Sequence, residues 1–343
     1  MFDVPSNSQL STPQLSTAWP LLREKLPFFA LALAAGVATV FAQGEAGAIQ
    51  DAAHIPILHR VANALLAYVH YLVQTAWPLK LAAYYSYPKG FSIVAVGIAV
   101  VLGLAASIGA WRAAGRRPYI TFGWIWYVVT LLPVIGLLQV GSASQADRYT
   151  YVPLIGIFTL AVWGVYELTK AWRHQARALA FAASAVTVLC LGLTNRQIGY
   201  WKDGEALFKH AIAVTRENPL AQNNLGTALF DKGRVDEAMG HFQEAIRQAP
   251  AYPSARQNLG SALFRKGRLD DAIIQFEAAV RLNPRFAEAH CNLGAALGTK
   301  GRVDEAISHF QTALQLKPDY TGAQQNLRYA LSQKAAAAQP KKP

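Results

Sequence analysis

The segment Gly-Ser-Ala-Ser-Gln-Ala-Asp-Arg-Tyr-Thr-Tyr at 141–151 concentrates polar chemistry between two long apolar runs. It holds Asp147 beside Arg148, and a charge left at a bilayer centre costs about 2.5–3.5 kcal/mol on insertion scales. The pair therefore belongs at the membrane surface, in a cavity, or facing a charged ligand. The forked guanidinium of Arg148 suits a phosphate, and it suits equally a loop salt bridge with Asp147 or an interfacial anchor. Tyr149 and Tyr151 can flank a bound group or join an aromatic belt at the membrane boundary. Arg60, His70 and Lys80 form a second group, able either to gather at a lipid headgroup or simply to snorkel. A third set is made of amides. Asn224, Asn258, Asn292 and Asn326 recur every 34 residues. An amide offers both donor and acceptor, so such a ladder can hydrogen-bond an extended polypeptide or tie neighbouring repeats together without a ligand.

The amide ladder is carried by three contiguous 34-residue units, 217–250, 251–284 and 285–318. In register, Asn-Leu-Gly recurs at 224–226, 258–260 and 292–294. Gly226, Gly260 and Gly294 leave room for a close helix crossing, and Gly233, Gly267 and Gly301 fall in the turn between helices, where positive φ costs a glycine nothing. Phe242, Phe276 and Phe310 supply bulk, while Pro250, Pro284 and Pro318 stop each second helix. This period and content resemble the tetratricopeptide repeat (TPR), a helix-turn-helix unit stacked into an α-solenoid. The equivalent asparagines of O-linked GlcNAc transferase are similar in position, which implies hydrogen bonding to an extended peptide backbone. Residues 201–216 read as the second helix of an incomplete unit, and a helix from Asp319 to about Lys334 as the cap. The paired acids Asp236 with Glu237 and Asp304 with Glu305 start second helices and complement the helix dipole.

The rest of the chain belongs to a different solvent. Apolar runs at 26–43, 91–110, 119–140, 152–169 (with Glu167 near its end) and 179–195 predict five membrane spans. The segment 59–77, with Arg60 at one end and His70 inside, reads as an interfacial helix. The predicted architecture is thus all-α: a disordered cytoplasmic N-terminus at 1–25, a multi-pass membrane domain at 26–198, a TPR solenoid at 199–334 and a frayed tail at 335–343. Basic residues in the short loops (Arg23 and Lys25; Arg112, Arg116 and Arg117; Lys170, Arg173 and Arg177) fall on one face if five spans cross. The positive-inside rule then places the solenoid outside the inner or plasma membrane. The net charge of +12 divides as +7 over 1–198 and +5 over 199–343. No basic face stands out, so a nucleic-acid partner is not expected. Cys190 and Cys291 read as small apolar groups, no ligand-spaced Cys or His cluster is present, and no cleavable signal peptide is expected, because the first apolar run begins only near Leu26 and lacks an obvious small-residue cleavage site.

The order of these pieces resembles the bacterial relatives of the transmembrane and TPR-containing O-mannosyltransferases, membrane glycosyltransferases of the GT-C type. The resemblance rests on EKLPFF at 24–29, RVANALLAYVHYLVQTAWPLKLAAYY at 60–85, PVIGLLQVG at 133–141, QADRYTYVPLIG at 145–156 and W-x-D-x-x-x-LF at 201–208. It implies transfer of a sugar from a polyprenyl-phosphate carrier to an acceptor on the outer face. Arg148, with Asp147, Tyr149 and Arg60, then becomes the candidate for binding the donor-lipid phosphate. The family's acidic pair, base and metal or donor ligand, lies in a first outer loop without counterpart here, and the sequence resembles the C-terminal portion of such an enzyme. A divalent metal enters only if another chain supplies that loop, and no other cofactor is implied. Two roles follow. One is a glycosyltransferase part or subunit whose solenoid groove binds polypeptide; the other is a non-catalytic, membrane-anchored TPR scaffold for envelope proteins.

Overall fold

The computed structural model describes residues 56–78, 81–82, 84–88, 90–137, 143–215 and 217–338. The expected first span at 26–43, the N-terminal arm, Lys80 and the end of the tail lie outside these residues. The described chain opens with α1 (Ile57–Ala76), the strand β1 (Tyr85–Ser86), α2 (Ile93–Ala113) and α3 (Pro118–Leu131). After β2 (Ala143–Gln145) and a 3-10 turn at Asp147–Thr150 come α4 (Pro153–Thr169) and α5 (Gln175–Tyr200).

Among the described residues, α2 and α5 are long and apolar enough to cross a bilayer, and α4 adds a shorter apolar helix of 17 residues. The 21 residues of α2 rise about 31 Å, the thickness of a hydrocarbon core. No residue of α5 is buried. The expected span at 119–140 departs from this pattern, because α3 stops at Leu131. Pro133 has no N–H to continue the ladder and its ring crowds the preceding turn, and Gly136 then takes a φ of 90°. Five spans are therefore not seen as five spanning helices among these residues. The all-α expectation also gains one exception, an antiparallel pairing of β1 with β2.

Close packing joins the pieces that flank the Asp147 loop. A Cβ on Gly123 would lie 2.5 Å from the carbonyl oxygen of Gly156, and one on Gly156 would overlap the carbonyl of Gly123. The backbones of α3 and α4 can meet this closely only because both positions are glycine. Helix α1 packs Ala64, Ala67 and Tyr71 against Tyr127, Leu131 and Ile135. The Tyr127 hydroxyl donates to the Tyr68 carbonyl at 2.7 Å, and the Tyr68 hydroxyl donates to that of Val128 at 2.8 Å.

Eight further helices follow: α6 (Gly204–Val214), α7 (Pro219–Asp231), α8 (Val235–Gln248), α9 (Pro253–Arg265), α10 (Leu269–Leu282), α11 (Ala287–Thr299), α12 (Val303–Leu316) and α13 (Thr321–Ala338). Antiparallel pairs α7/α8, α9/α10 and α11/α12 match the three 34-residue units, α6 lies within the expected half unit, and α13 continues past Lys334 to Ala338, four residues into the expected tail. Gly233, Gly267 and Gly301 take φ of 79°, 74° and 81° in the turns. A Cβ on Gly226, Gly260 or Gly294 would meet the ring of Phe242, Phe276 or Phe310 at 2.6–2.7 Å.

Gly260→Ala should therefore destabilise the chain by about 1–3 kcal/mol through overpacking. Gly240→Ala, with nothing within 4 Å of the added atom, should stabilise it by roughly 0.5–1 kcal/mol. Thermal or urea unfolding of the two variants checks the pair, and equal effects would contradict the packing account.

Candidate functional site

The β1–β2 pairing sets Tyr85 opposite Gln145 and so brings the Tyr-rich segment at 84–87 onto Asp147. The Tyr85 hydroxyl accepts from Gln74 Nε2 at 2.7 Å and from the Ala82 amide at 2.9 Å, and it donates to Asp147 Oδ2 at 3.3 Å. Beside it, the Tyr71 hydroxyl donates to the Ala146 carbonyl at 3.3 Å and accepts from the Ala146 amide at 3.1 Å. Burial holds the Asp147 carboxyl up at about 6, against the opposing pull of the Tyr85, Ala82 and Gln74 hydrogen bonds. Burial and the neighbouring Asp147 push the Tyr85 hydroxyl well above its ordinary range.

Asp147 lines a cleft of about 340 Å³ with Gln74, Tyr151, Phe158, Gln197 and Trp201. Its Oδ1 is buried and has no hydrogen-bond partner among the described residues. The Tyr85 ring also meets the His70 ring edge-on at 5.7 Å. His70 Nε2 is likewise buried and unpartnered among the described residues, and burial lowers the His70 pKa. Tyr85 therefore touches both a carboxyl and an imidazole, each with one polar atom unpartnered among the described residues.

Of the sequence candidates, Asp147 and Tyr151 come together in this cleft. Arg148 lies in the same 3-10 turn, with its side chain outside the described set. Tyr149 donates its amide to Ala146 in that turn and does not line the cleft. Arg60 sits on the first turn of α1, about 21 Å of helix rise before Gln74, and is not brought to Asp147. Tyr85 and Gln74 escape a reading of motifs, because only the pairing of two very short strands places them beside Asp147.

The same segment docks on the start of the solenoid. The Leu81 carbonyl meets His210 Nε2 at 3.0 Å, and the His210 ring stacks on Tyr200 at 3.7 Å. Asn218, 2% exposed, donates from Nδ2 to the Tyr84 carbonyl at 3.1 Å and caps α7 by accepting from the Ala221 amide at 2.9 Å.

Comparison with known proteins bears on both halves. The tetratricopeptide repeat family models match residues 258–321 and 226–267. Protein O-mannosyl-transferase Tmtc3 of Drosophila melanogaster is 29% identical over 36% of this chain, and Tmtc2 of the same organism 34% over 34%. Human protein O-mannosyl-transferase TMTC1 is 26% identical over 51%. The chain is similar to TPR-containing protein O-mannosyl-transferases. These matches span only 13%, 12% and 19% of those relatives' lengths. Among solved structures, the first TPR domain of human RPAP3 is 27% identical over 34% of this chain and 93% of that domain, with a TM-score of 0.34. A crystal structure of MamA is 24% identical over 41% of this chain and 83% of that one, with a TM-score of 0.37.

Within the TPR array the amide ladder is unevenly occupied. Asn258 Nδ2 donates across the repeat boundary to Asn223 Oδ1 at 3.0 Å, and Asn326 Nδ2 approaches Cys291 Sγ at 3.8 Å. Asn224 Oδ1 accepts from Asn223 Nδ2 at 3.4 Å. Asn292 instead lines an open cleft of about 340 Å³ with Phe230, Phe264 and Arg265.

The buried carboxyl sets a pH signature. Its folded pKa, about 6, lies above the ordinary value of 3.8, so the folded state binds more protons and stability falls as pH rises through that window. Asp147→Asn should thus raise the melting temperature at pH 8 and change it little below pH 4. A melting curve series of both proteins tests this, and a gain that persists undiminished at pH 3.5 would be inconsistent with the buried-charge account.

Proposed function

We propose that this chain forms the membrane and solenoid part of a lipid-linked-sugar-dependent protein O-glycosyltransferase. In this reading the Asp147–Arg148 turn meets the head of a polyprenyl-phosphate sugar, and the TPR groove holds the acceptor polypeptide. The observation that carries it is the open Oδ1 of Asp147 in a cleft walled by Tyr151, Phe158 and Trp201. That cleft stands where α4 begins, α5 ends and the solenoid starts.

The division of labour follows from charge. Arg148, on the same turn, neutralises the phosphate through charge-assisted hydrogen bonds. Asp147, anionic above about pH 6, accepts from a sugar hydroxyl, and the aromatic wall covers the apolar faces of the sugar or prenyl group. Among the described residues no three His, Cys, Asp or Glu side chains gather to hold a metal; a divalent metal would enter this reading with an acidic loop supplied by another chain.

The five-span topology with an outer solenoid belongs to the same reading. Glu167 is paired with Arg117 at 3.1 Å and Lys170 at 3.9 Å, which supports the two basic loops lying on one face. With the span at 26–43, α3 continued by its turn, and α1 along the interface, the Asp147 loop and the solenoid share the opposite face.

Photocrosslinking of a diazirine-bearing polyprenyl-phosphate mannose to the full chain in native membranes tests the donor site. Arg148→Ala should reduce labelling by about tenfold, the loss of one charged hydrogen bond. Equal labelling of the two proteins would overturn the assignment. Polypeptide capture without any donor labelling would leave the membrane-anchored TPR scaffold as the role.

A further inference from the structure

A second cleft, lined by Tyr85 and His70, has no part in the reading above. It encloses about 670 Å³ between α1, β1 and the start of α2, within the range that holds most of a drug-sized ligand. Its polar lining comprises Asn63, His70, Ser86, Ser92 and Gln145. Its apolar lining includes Val73, 58% exposed, and Ile98, 55% exposed. Ile98 lies on α2, a helix long and apolar enough to span a bilayer, so this rim suits lipid chains. The cleft therefore combines hydrogen-bonding groups with an exposed apolar rim.

None of the described residues lining this cleft is Lys, Arg, Asp or Glu, and the adjoining cleft that shares His70 and Tyr85 adds an acid, Glu217. Burial favours the neutral imidazole of His70, and its Nε2 is left without a partner among the described residues. An ionised phosphate would find no described counter-charge here. A hydroxyl satisfies Nε2 in either tautomer, because it can both donate and accept. We infer that this cleft binds a membrane lipid with an uncharged hydroxyl head, the hydroxyl bonded to His70 Nε2 and the chain running out between α1 and α2. The site is independent of the sugar-donor reading, because the two clefts share no lining residue.

The test places the full chain in phosphatidylcholine vesicles containing a diacylglycerol with a diazirine near the head, followed by illumination and peptide mapping. Adducts are expected on α1 and α2 at the cleft, and a phosphatidylcholine probe carrying the diazirine at the same chain position should label them less. His70→Phe should reduce diacylglycerol labelling by about fivefold, the loss of one net hydrogen bond. Val73→Trp, at the exposed rim, should block the cleft without disturbing the fold and so covers the case in which His70→Phe does not fold. Equal labelling by the two probes, or labelling unchanged by Val73→Trp, would reduce the site to ordinary bilayer contact. Competition by polyprenyl-phosphate mannose alone would give the cleft to the charged donor and overturn the inference.

Discussion

The Tyr85 hydroxyl is used to its full capacity: two acceptor positions filled by Gln74 and the Ala82 amide, one proton given to Asp147. A phenol has no further valence to offer. Each partner comes from a different stretch of chain, so this one oxygen fixes α1, the segment after it and the loop before α4 relative to one another. Leaving any of these buried groups unpaired would cost about 1–3 kcal/mol. That penalty is what makes so short a strand pairing definite, and it holds the Tyr85 ring in place as a wall of the His70 cleft.

The solenoid depends on a different constraint, repeated three times. A glycine in each first helix receives the face of a phenylalanine from the second, at distances a Cβ would violate. The first unit of that stack is tied to the segment that carries Tyr85. Asn218 caps α7 through Oδ1 and holds the Tyr84 carbonyl through Nδ2 of the same side chain, and the Asn218 backbone amide in turn donates to Gln248 Oε1 at 2.8 Å. Moving the first repeat away would break the bonds of Asn218 to Tyr84 and of His210 to Leu81, so the segment and the TPR array are joined here.

How much of this could be read from the residues differs sharply between the halves. The TPR units were legible to the turn, because a solenoid's contacts are local and each residue type repeats its reason at Gly233, Gly267 and Gly301. The span at 119–140 was not, since apolar composition registers solubility in lipid while Pro133 decides where α3 ends. Asp147 stood out as a charge between apolar runs. Its partner Tyr85 did not, since 62 residues separate them and nothing in either segment's composition announces the ladder that joins them.

The amide ladder shows how a recurring residue acquires different work. Asn258 and Asn326 carry inter-repeat contacts, to Asn223 and toward Cys291. Asn292 faces Phe264 and Arg265 across an open cleft, with Gln257 of the preceding repeat turned instead to Ser261 at 3.4 Å. The rung is open because the residue one place before the first three ladder asparagines varies from repeat to repeat, being Asn223, Gln257 and Cys291 in turn. Periodicity therefore builds the stack, and a departure from it at the neighbouring position leaves one amide with donor and acceptor both available to an extended chain.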